Sequence, residues 1–195
     1  MPPFCNSRGR LLYFRHLLSA AFAKTSQLRK VHSTRLTYRR LAFSDAPFLI
    51  ELLNSKGWLD NIGDRNVRTT EEAEIYLRDR IYPTCDKPWS GPYLMHLIET
   101  NEPIGTIGIY ARPGLDIPDI GFALLPKFFR KGYATEAANC AIDLAKKHKV
   151  PALSAIALPT NEASVNLLKQ LGFEPKHMVT LPEDDAELQY FERKL

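Results

Sequence analysis

A continuous apolar run that feeds a basic, glycine-containing turn and then an alanine-rich helix constrains this chain more than any other feature. Asp119-Ile120-Gly121-Phe122-Ala123-Leu124-Leu125 is apolar enough for a buried strand, and Pro126 stops it. The turn Phe129-Arg130-Lys131-Gly132-Tyr133-Ala134-Thr135-Glu136 follows, and beyond it Ala134, Ala137, Ala138, Ala141 and Ala145 recur at helical spacing. One narrow helix face can therefore lie close against a sheet. The first amides of a helix have no partner within it, and together with the macrodipole they favour an anion. Gly132 lets the backbone approach a ligand with no Cβ in the way, while Arg130 and Lys131 add positive charge. Read alone, the pattern also describes an ordinary strand-to-helix connection with a solvated basic tip.

A second strand-to-helix unit follows about thirty residues on. Ala152 to Leu158 reads as another buried strand, and Thr160 or Asn161 can cap a short helix that Gly172 closes. Upstream, Arg35 to Leu41 reads as a first strand. Ser44 or Asp45 caps a helix with Pro47 in its first turn and Phe48, Leu49, Leu52 and Leu53 on its apolar face. Residues 54 to 68 lack periodicity and read as a long loop. Thr69-x-x-Glu72 is a capping box that opens a second helix. Tyr93 to Ile98 and Ile104 to Ile109 form a hairpin around Glu99 to Pro103, and two last strands lie near 176–181 and 187–191, joined by the acidic turn Pro182 to Asp185.

These segments in order resemble a known family. "RKGYATEA" followed by "N-x-x-S-x-x-x-L-x-x-L-G-F" is similar to the GNAT superfamily of acyl-CoA N-acyltransferases, in its RimJ/RimL-like branch of ribosomal-protein N-terminal acetyltransferases. "TRLTYRRL" at 34–41, "EPIGTIGIY" at 102–110 and "DIGFALLP" at 119–126 match that branch in the same order. The likeness covers roughly residues 34 to 195. It implies an α/β (α+β) GNAT-type fold, a mixed and mostly antiparallel sheet flanked by helices, with a central parallel pair of strands splayed apart. An acetyl-CoA co-substrate would enter that gap, its pantetheine amides meeting the backbone of Phe122, Leu124 and Leu125. Its diphosphate would rest on Arg130, Lys131, Gly132, Tyr133, Ala134 and Thr135.

Two places depart from the family pattern. Tryptophan is common where Phe129 stands, and glycine where Arg130 stands. An arginine calls for an ordinary backbone conformation, so the turn is expected to differ locally there. Many GNAT enzymes carry a tyrosine acid seven residues after the asparagine, and here that place is Leu168.

Acyl transfer to an amine needs a neutral nucleophile, a stabilised oxyanion and a proton for the departing thiolate. An α-amine, with a reference pKa near 8, asks for only modest base catalysis. Asp119, at the start of the strand that would line the thioester, is the base candidate, acting through water, or else a solvent-exposed loop aspartate. Glu136 in a helix's first turn is explained by the macrodipole. The resemblance places Asn161 beside the pantetheine arm and, with no tyrosine at 168, leaves Ser164 to hydrogen-bond the sulfur and relay its proton. Either that, or Asn161 only caps the helix and Ser164 packs in its first turns. Trp58, Asn61 and Arg65 could line an acceptor groove with His96 beneath, although a histidine on a strand is also an ordinary core residue.

The expected activity is thus acetyl transfer to a primary amine, a protein N-terminus or a small molecule, by direct attack in a ternary complex. Alternatives are a different acyl group or acceptor, such as an antibiotic or polyamine, or a catalytically silent acyl-CoA-binding module. The chain would act as a monomer or homodimer. A nucleotide-binding P-loop is excluded because G-x-x-x-x-G-K-[ST] is absent.

Charge distribution narrows the partners. Residues 1 to 44 hold nine Lys/Arg and no Asp/Glu, leaving seventeen basic against twenty-two acidic residues in the rest. The formal net charge of +4 therefore does not mark a nucleic-acid binder, since the part expected to fold is mildly acidic. No window approaches the ~20 apolar residues of a membrane span. Residues 1–33 read as a basic extension separate from a domain at 34–195. Arg8, Arg10, Arg15, Lys24 and Arg29 among leucines and phenylalanines give it the composition of a mitochondrial presequence. The alternatives are the mitochondrial matrix, or a cytoplasmic enzyme behind a disordered start. Cys5, Cys85 and Cys140 show neither a disulfide framework nor zinc spacing.

Overall fold

Eight strands, in the order β1-β2-β3-β4-β5-β6-β8-β7, form the sheet of this chain in a computed structural model that describes residues 31–182 and 186–195. The basic extension lies outside the described residues, apart from its last three, as do Glu183, Asp184 and Asp185 of the acidic turn. The strands are β1 (Val31–His32), β2 (Leu36–Arg40), β3 (Gly91–Leu97), β4 (Pro103–Tyr110), β5 (Asp119–Leu124), β6 (Ala152–Ala157), β7 (Glu174–Thr180) and β8 (Glu187–Lys194). The helices are α1 (Ala46–Leu53), α2 (Lys56–Asn61), α3 (Thr70–Tyr76), α4 (Tyr133–Lys147) and α5 (Glu162–Gln170). Among the described residues no helix is long and apolar enough to cross a membrane.

Local chemistry accounts for the helix ends. Thr69 Oγ1 accepts from the Glu72 amide at 3.2 Å while Glu72 Oε2 accepts from the Thr69 amide at 3.0 Å, the reciprocal capping box expected from sequence. Asp45 acts differently from a simple cap. Its Oδ2 accepts from the Ala42 amide at 2.8 Å, and both oxygens hold Arg39. The stretch 54–68 is not wholly a loop. Ser55 caps the short helix α2, accepting from the Trp58 amide, and six residues without apolar period suffice because α2 packs on β5 and α1.

Register divides the sheet into two faces, because residues directly opposite each other point the same way. Tyr38 opposes Met95, Met95 opposes Gly105, and Gly105 opposes Leu124. Ile107, Ile109, Ile120 and Phe122 share that face with them, under α4, whose Ala137, Ala138 and Ala145 are fully buried. Tyr110 opposes Asp119 on the other face, beneath α1 to α3.

The pairing that matters most is the weakest. β4 and β5 are registered along six residue pairs, whereas the parallel strands β5 and β6 are registered only at Asp119 and Ser154. Ser154 closes that end of the gap, its amide donating to Pro118 O at 2.9 Å and its Oγ to Ile117 O at 2.8 Å. From Asp119 onward the two strands diverge, as the splayed-pair expectation requires.

Asp119 anchors this junction. It is 1% exposed, and both its oxygens accept from Arg112, at 3.1 Å each. Burial pushes its carboxyl up, and Arg112 only partly offsets that. Removing the arginine would leave an uncompensated buried carboxylate, which costs on the order of 3 kcal/mol. Without Arg112 the carboxyl rises further, so the folded state takes up a proton more readily than the unfolded chain as pH falls. Arg112→Met is therefore expected to destabilise more at pH 8 than at pH 5, measured by urea unfolding at both; an equal loss would mean that the charge of Asp119 is not what Arg112 balances.

Candidate functional site

The diverging end of β5 leads straight into the basic turn. Leu125 donates its amide to Ile104 O at 2.9 Å, so by antiparallel alternation residues 119, 121 and 123 also face β4. The amides and carbonyls of Phe122 and Leu124 consequently point into the gap toward β6, where no strand among the described residues meets them. Leu125 differs from these two. Its amide is committed to β4 and its carbonyl accepts from Phe128 at 2.9 Å, so the expectation that its backbone lines the gap fails.

The turn itself corrects a second expectation. Arg130 does not keep an ordinary conformation; its φ is 57°, in the left-handed region that a glycine would occupy at no cost. Gly132 is also left-handed, at φ 78°, and serves as the N-cap of α4 without any side-chain cap. Two left-handed residues on either side of Lys131 thus bend the chain into the start of α4. The first amides of α4, from Tyr133, Ala134 and Thr135, have no acceptor within the helix. The side chains of Arg130 and Lys131 are exposed, and Lys131 Nζ lies 5.5 Å from the centre of the Phe128 ring.

Phe129 is 45% exposed and its ring covers Gly57 on α2, where an added Cβ would come within 2.7 Å of it. Gly57 thus lets the short helix close over the start of the turn.

Across the gap, Asn161 caps α5, its Oδ1 accepting from the Ser164 amide at 3.1 Å. This commits the oxygen and leaves the amide nitrogen as the group able to donate to a ligand. Ser164 stands four residues before Leu168 on the same helical stripe, and Leu168 is 1% exposed in the core. That stripe therefore faces inward, with a hydroxyl at 164 and none at 168.

The proposed acceptor residues separate. Trp58, on α2, has an indole Nε1 that is buried and, among the described residues, without a hydrogen-bond partner, a donor that costs about 1–3 kcal/mol unless something accepts from it. Asn61 turns its Nδ2 back to Gly57 O at 2.8 Å. Arg65 is exposed and interacts with Tyr76, whose phenol is pushed up by burial and partly brought back by that guanidinium. His96 is 6% exposed and lies 3.4 Å from Arg39 in the Arg39–Asp45 pair; burial, then Arg39, pushes its pKa below the ordinary imidazole value. It is a core histidine.

Sequence reasoning missed Tyr110. Its phenol is pushed up strongly, first by burial and then by Asp119, so it stays protonated on the face that carries Tyr76 and Arg112. No spacing along the chain signals it, because the β4–β5 register is what puts Tyr110 opposite Asp119.

An open strand edge ending in an uncapped helix suits a long anionic ligand with amides along its length. Consistent with this, the profile of the family described as acetyltransferase (GNAT) domain matches residues 35–174. The chain belongs to that family, whose fold binds acyl-CoA, and it is on that ground a GNAT-fold, acyl-CoA-dependent transferase. Among solved structures it is similar to an acetyltransferase from Agrobacterium tumefaciens strain C58, with 24% identity over 86% of this chain and 95% of that one and a TM-score of 0.71. A GNAT-family acetyltransferase from Bacillus anthracis gives 22% identity over 85% and 98% of the two chains, with a TM-score of 0.68. RimL, a ribosomal L7/L12 alpha-N-protein acetyltransferase solved with coenzyme A, gives 18% identity over 86% and 98%, with a TM-score of 0.72.

The left-handed arginine carries a cost of about 1–2 kcal/mol, offset in part for a glycine by its larger unfolded-state entropy. Arg130→Gly is expected to stabilise the protein by up to ~1 kcal/mol and Arg130→Val to destabilise it, β-branching being worst in this region. Chemical denaturation that ranked Val above Arg would contradict the left-handed assignment.

Proposed function

We propose that this protein is an N-acetyltransferase that passes an acetyl group from acetyl-CoA to a primary amine, either a protein N-terminus or a small molecule, by direct attack in a ternary complex. The observation that carries this reading is the open edge of β5 at Phe122 and Leu124 running into the uncapped start of α4. Acetyl-CoA supplies an activated thioester. Backbone groups of Phe122 and Leu124 would hold the pantetheine amides. The turn from Arg130 to Thr135 would hold the diphosphate through main-chain donors and two cationic side chains.

The thioester end would then lie toward Asp119 and Tyr110. The Arg112 fork leaves lone pairs on the Asp119 carboxylate, and a water bound there is the route by which it would take the amine proton. Burial lifts its basicity in the direction a general base needs. Ser164 would hydrogen-bond the thiolate and relay a proton to it, taking one from solvent water as it gives its own, with Asn161 Nδ2 donating to the pantetheine arm. On the acceptor side, the Trp58 indole supplies a donor for an acceptor carbonyl, and Arg65 borders the same side. The RimL likeness favours a protein N-terminus as acceptor, and it rests on 18% identity.

A silent acyl-CoA-binding module is the second reading, favoured by the buried leucine at 168 and by Asp119 being bound up with Arg112. Thiol release from acetyl-CoA across a panel of N-terminal peptides and small amines separates the two. Turnover with one class of acceptor is expected, and tight acetyl-CoA binding without thiol release on any acceptor would support the module.

Ser164→Ala is expected to lower kcat by roughly 10²-fold while leaving acetyl-CoA affinity nearly unchanged. Normal turnover would remove Ser164 from the mechanism. Trp58→Phe is expected to raise the acceptor KM severalfold, by about the ~1 kcal/mol of one hydrogen bond, with the acetyl-CoA KM unaltered. A shift in the acetyl-CoA KM instead would place the indole on the co-substrate side.

A further inference from the structure

The basic turn is gripped from behind by a residue of β2's approach. Arg35 Nη1 donates to Lys131 O at 2.9 Å, and its Nε donates to Glu136 Oε2 at 2.7 Å. The Arg35 amide donates to Glu136 Oε1 at 2.6 Å, as does Ser33 Oγ at 2.7 Å. The guanidinium also lies 4.5 Å from the centre of the Tyr133 ring, the first residue of α4. Glu136 is therefore more than a carboxylate placed by the macrodipole, because it ties residues 33–35 to the first turn of α4. Burial raises its carboxyl, but the bonds from Ser33 and Arg35 outweigh this and hold it below the usual range.

We propose that Arg35 is a positioning residue for diphosphate binding, aiming the Gly132 amide at the ligand by holding the Lys131 carbonyl on the opposite side. In a planar trans peptide the C=O of one residue and the N–H of the next point in opposite directions. Pinning Lys131 O against Arg35 therefore turns the Gly132 N–H away from β2. That plane turns about the ψ of Lys131 and the φ of Gly132, and the second hinge is soft, since Gly132 has no Cβ and is left-handed at φ 78°. An unpinned plane could flip and present a carbonyl oxygen to the phosphate, replacing attraction by repulsion. Arg35 also neutralises Glu136, which would otherwise set a negative charge in the turn that receives an anion. An added Cβ at Gly132 would lie 3.4 Å from Arg35 Nη2, so the clamp and the turn are in close contact.

This inference rests on the reading of the turn as the diphosphate site, and the test separates the two. Dissociation constants of CoA and of pantetheine, which lacks the diphosphate, are measured by calorimetry for the full chain and for Arg35→Met and Arg35→Lys. The wild type is expected to prefer CoA. Arg35→Met should reduce that preference about tenfold, the size of one charge-assisted hydrogen bond, and Arg35→Lys should recover part of it. Because Arg35 is half-exposed and pantetheine reports on the same gap, a variant that only loosened the fold would weaken both ligands alike and leave the ratio unmoved. A wild-type preference retained in full by both variants would overturn the clamp. A wild type that binds the two ligands equally would overturn the diphosphate site and the clamp with it.

Discussion

The single registered contact between β5 and β6, at Asp119 and Ser154, is the constraint on which the rest of the structure depends. A parallel pair joined along its length would satisfy its own backbone and leave nothing for a ligand. Here the pair is joined at one end by Ser154 and the carbonyls of Ile117 and Pro118, and stiffened there by the buried Arg112–Asp119 fork. Divergence from that hinge exposes the main chain of Phe122 and Leu124, and the same strand then delivers the chain to the turn that starts α4.

The turn holds a non-glycine residue in a conformation that suits glycine. Arg130 occupies the left-handed region that glycine would fill without strain, and three features around it hold the turn. Gly132 supplies a second left-handed residue, Phe129 is covered by α2 across Gly57, and Arg35 holds the Lys131 carbonyl and Glu136 together. The arginine side chain can then add its charge to the turn.

The two faces of the sheet divide the chemistry. The face under α4 carries Ile107, Ile109, Ile120 and Leu124, all buried, and α4 sets its fully buried Ala137, Ala138 and Ala145 against strands β4 and β5. The opposite face gathers Tyr110, Asp119, Arg112 and Tyr76 beneath short helices whose contacts are partly polar.

What the sequence determined by itself were features set by neighbours along the chain: apolar runs at β5 and β6, the capping box at Thr69 and Glu72, the asparagine cap of α5, and the glycine turn before α4. What only the tertiary structure decided were matters set by residues far apart in number. Leu125 drops out of the open edge because Ile104 accepts its amide, and His96 is a core residue because it packs with the Arg39–Asp45 pair. Asp119 is a buried ion-paired group and not an exposed one because Arg112 folds back over it. Glu136 is a tether because residues a hundred positions earlier reach it. Local periodicity and capping are short-range physics that a string of residues displays directly. Register, partner choice and desolvation arise only when distant segments meet, and no spacing along the chain encodes which carbonyl an arginine will find.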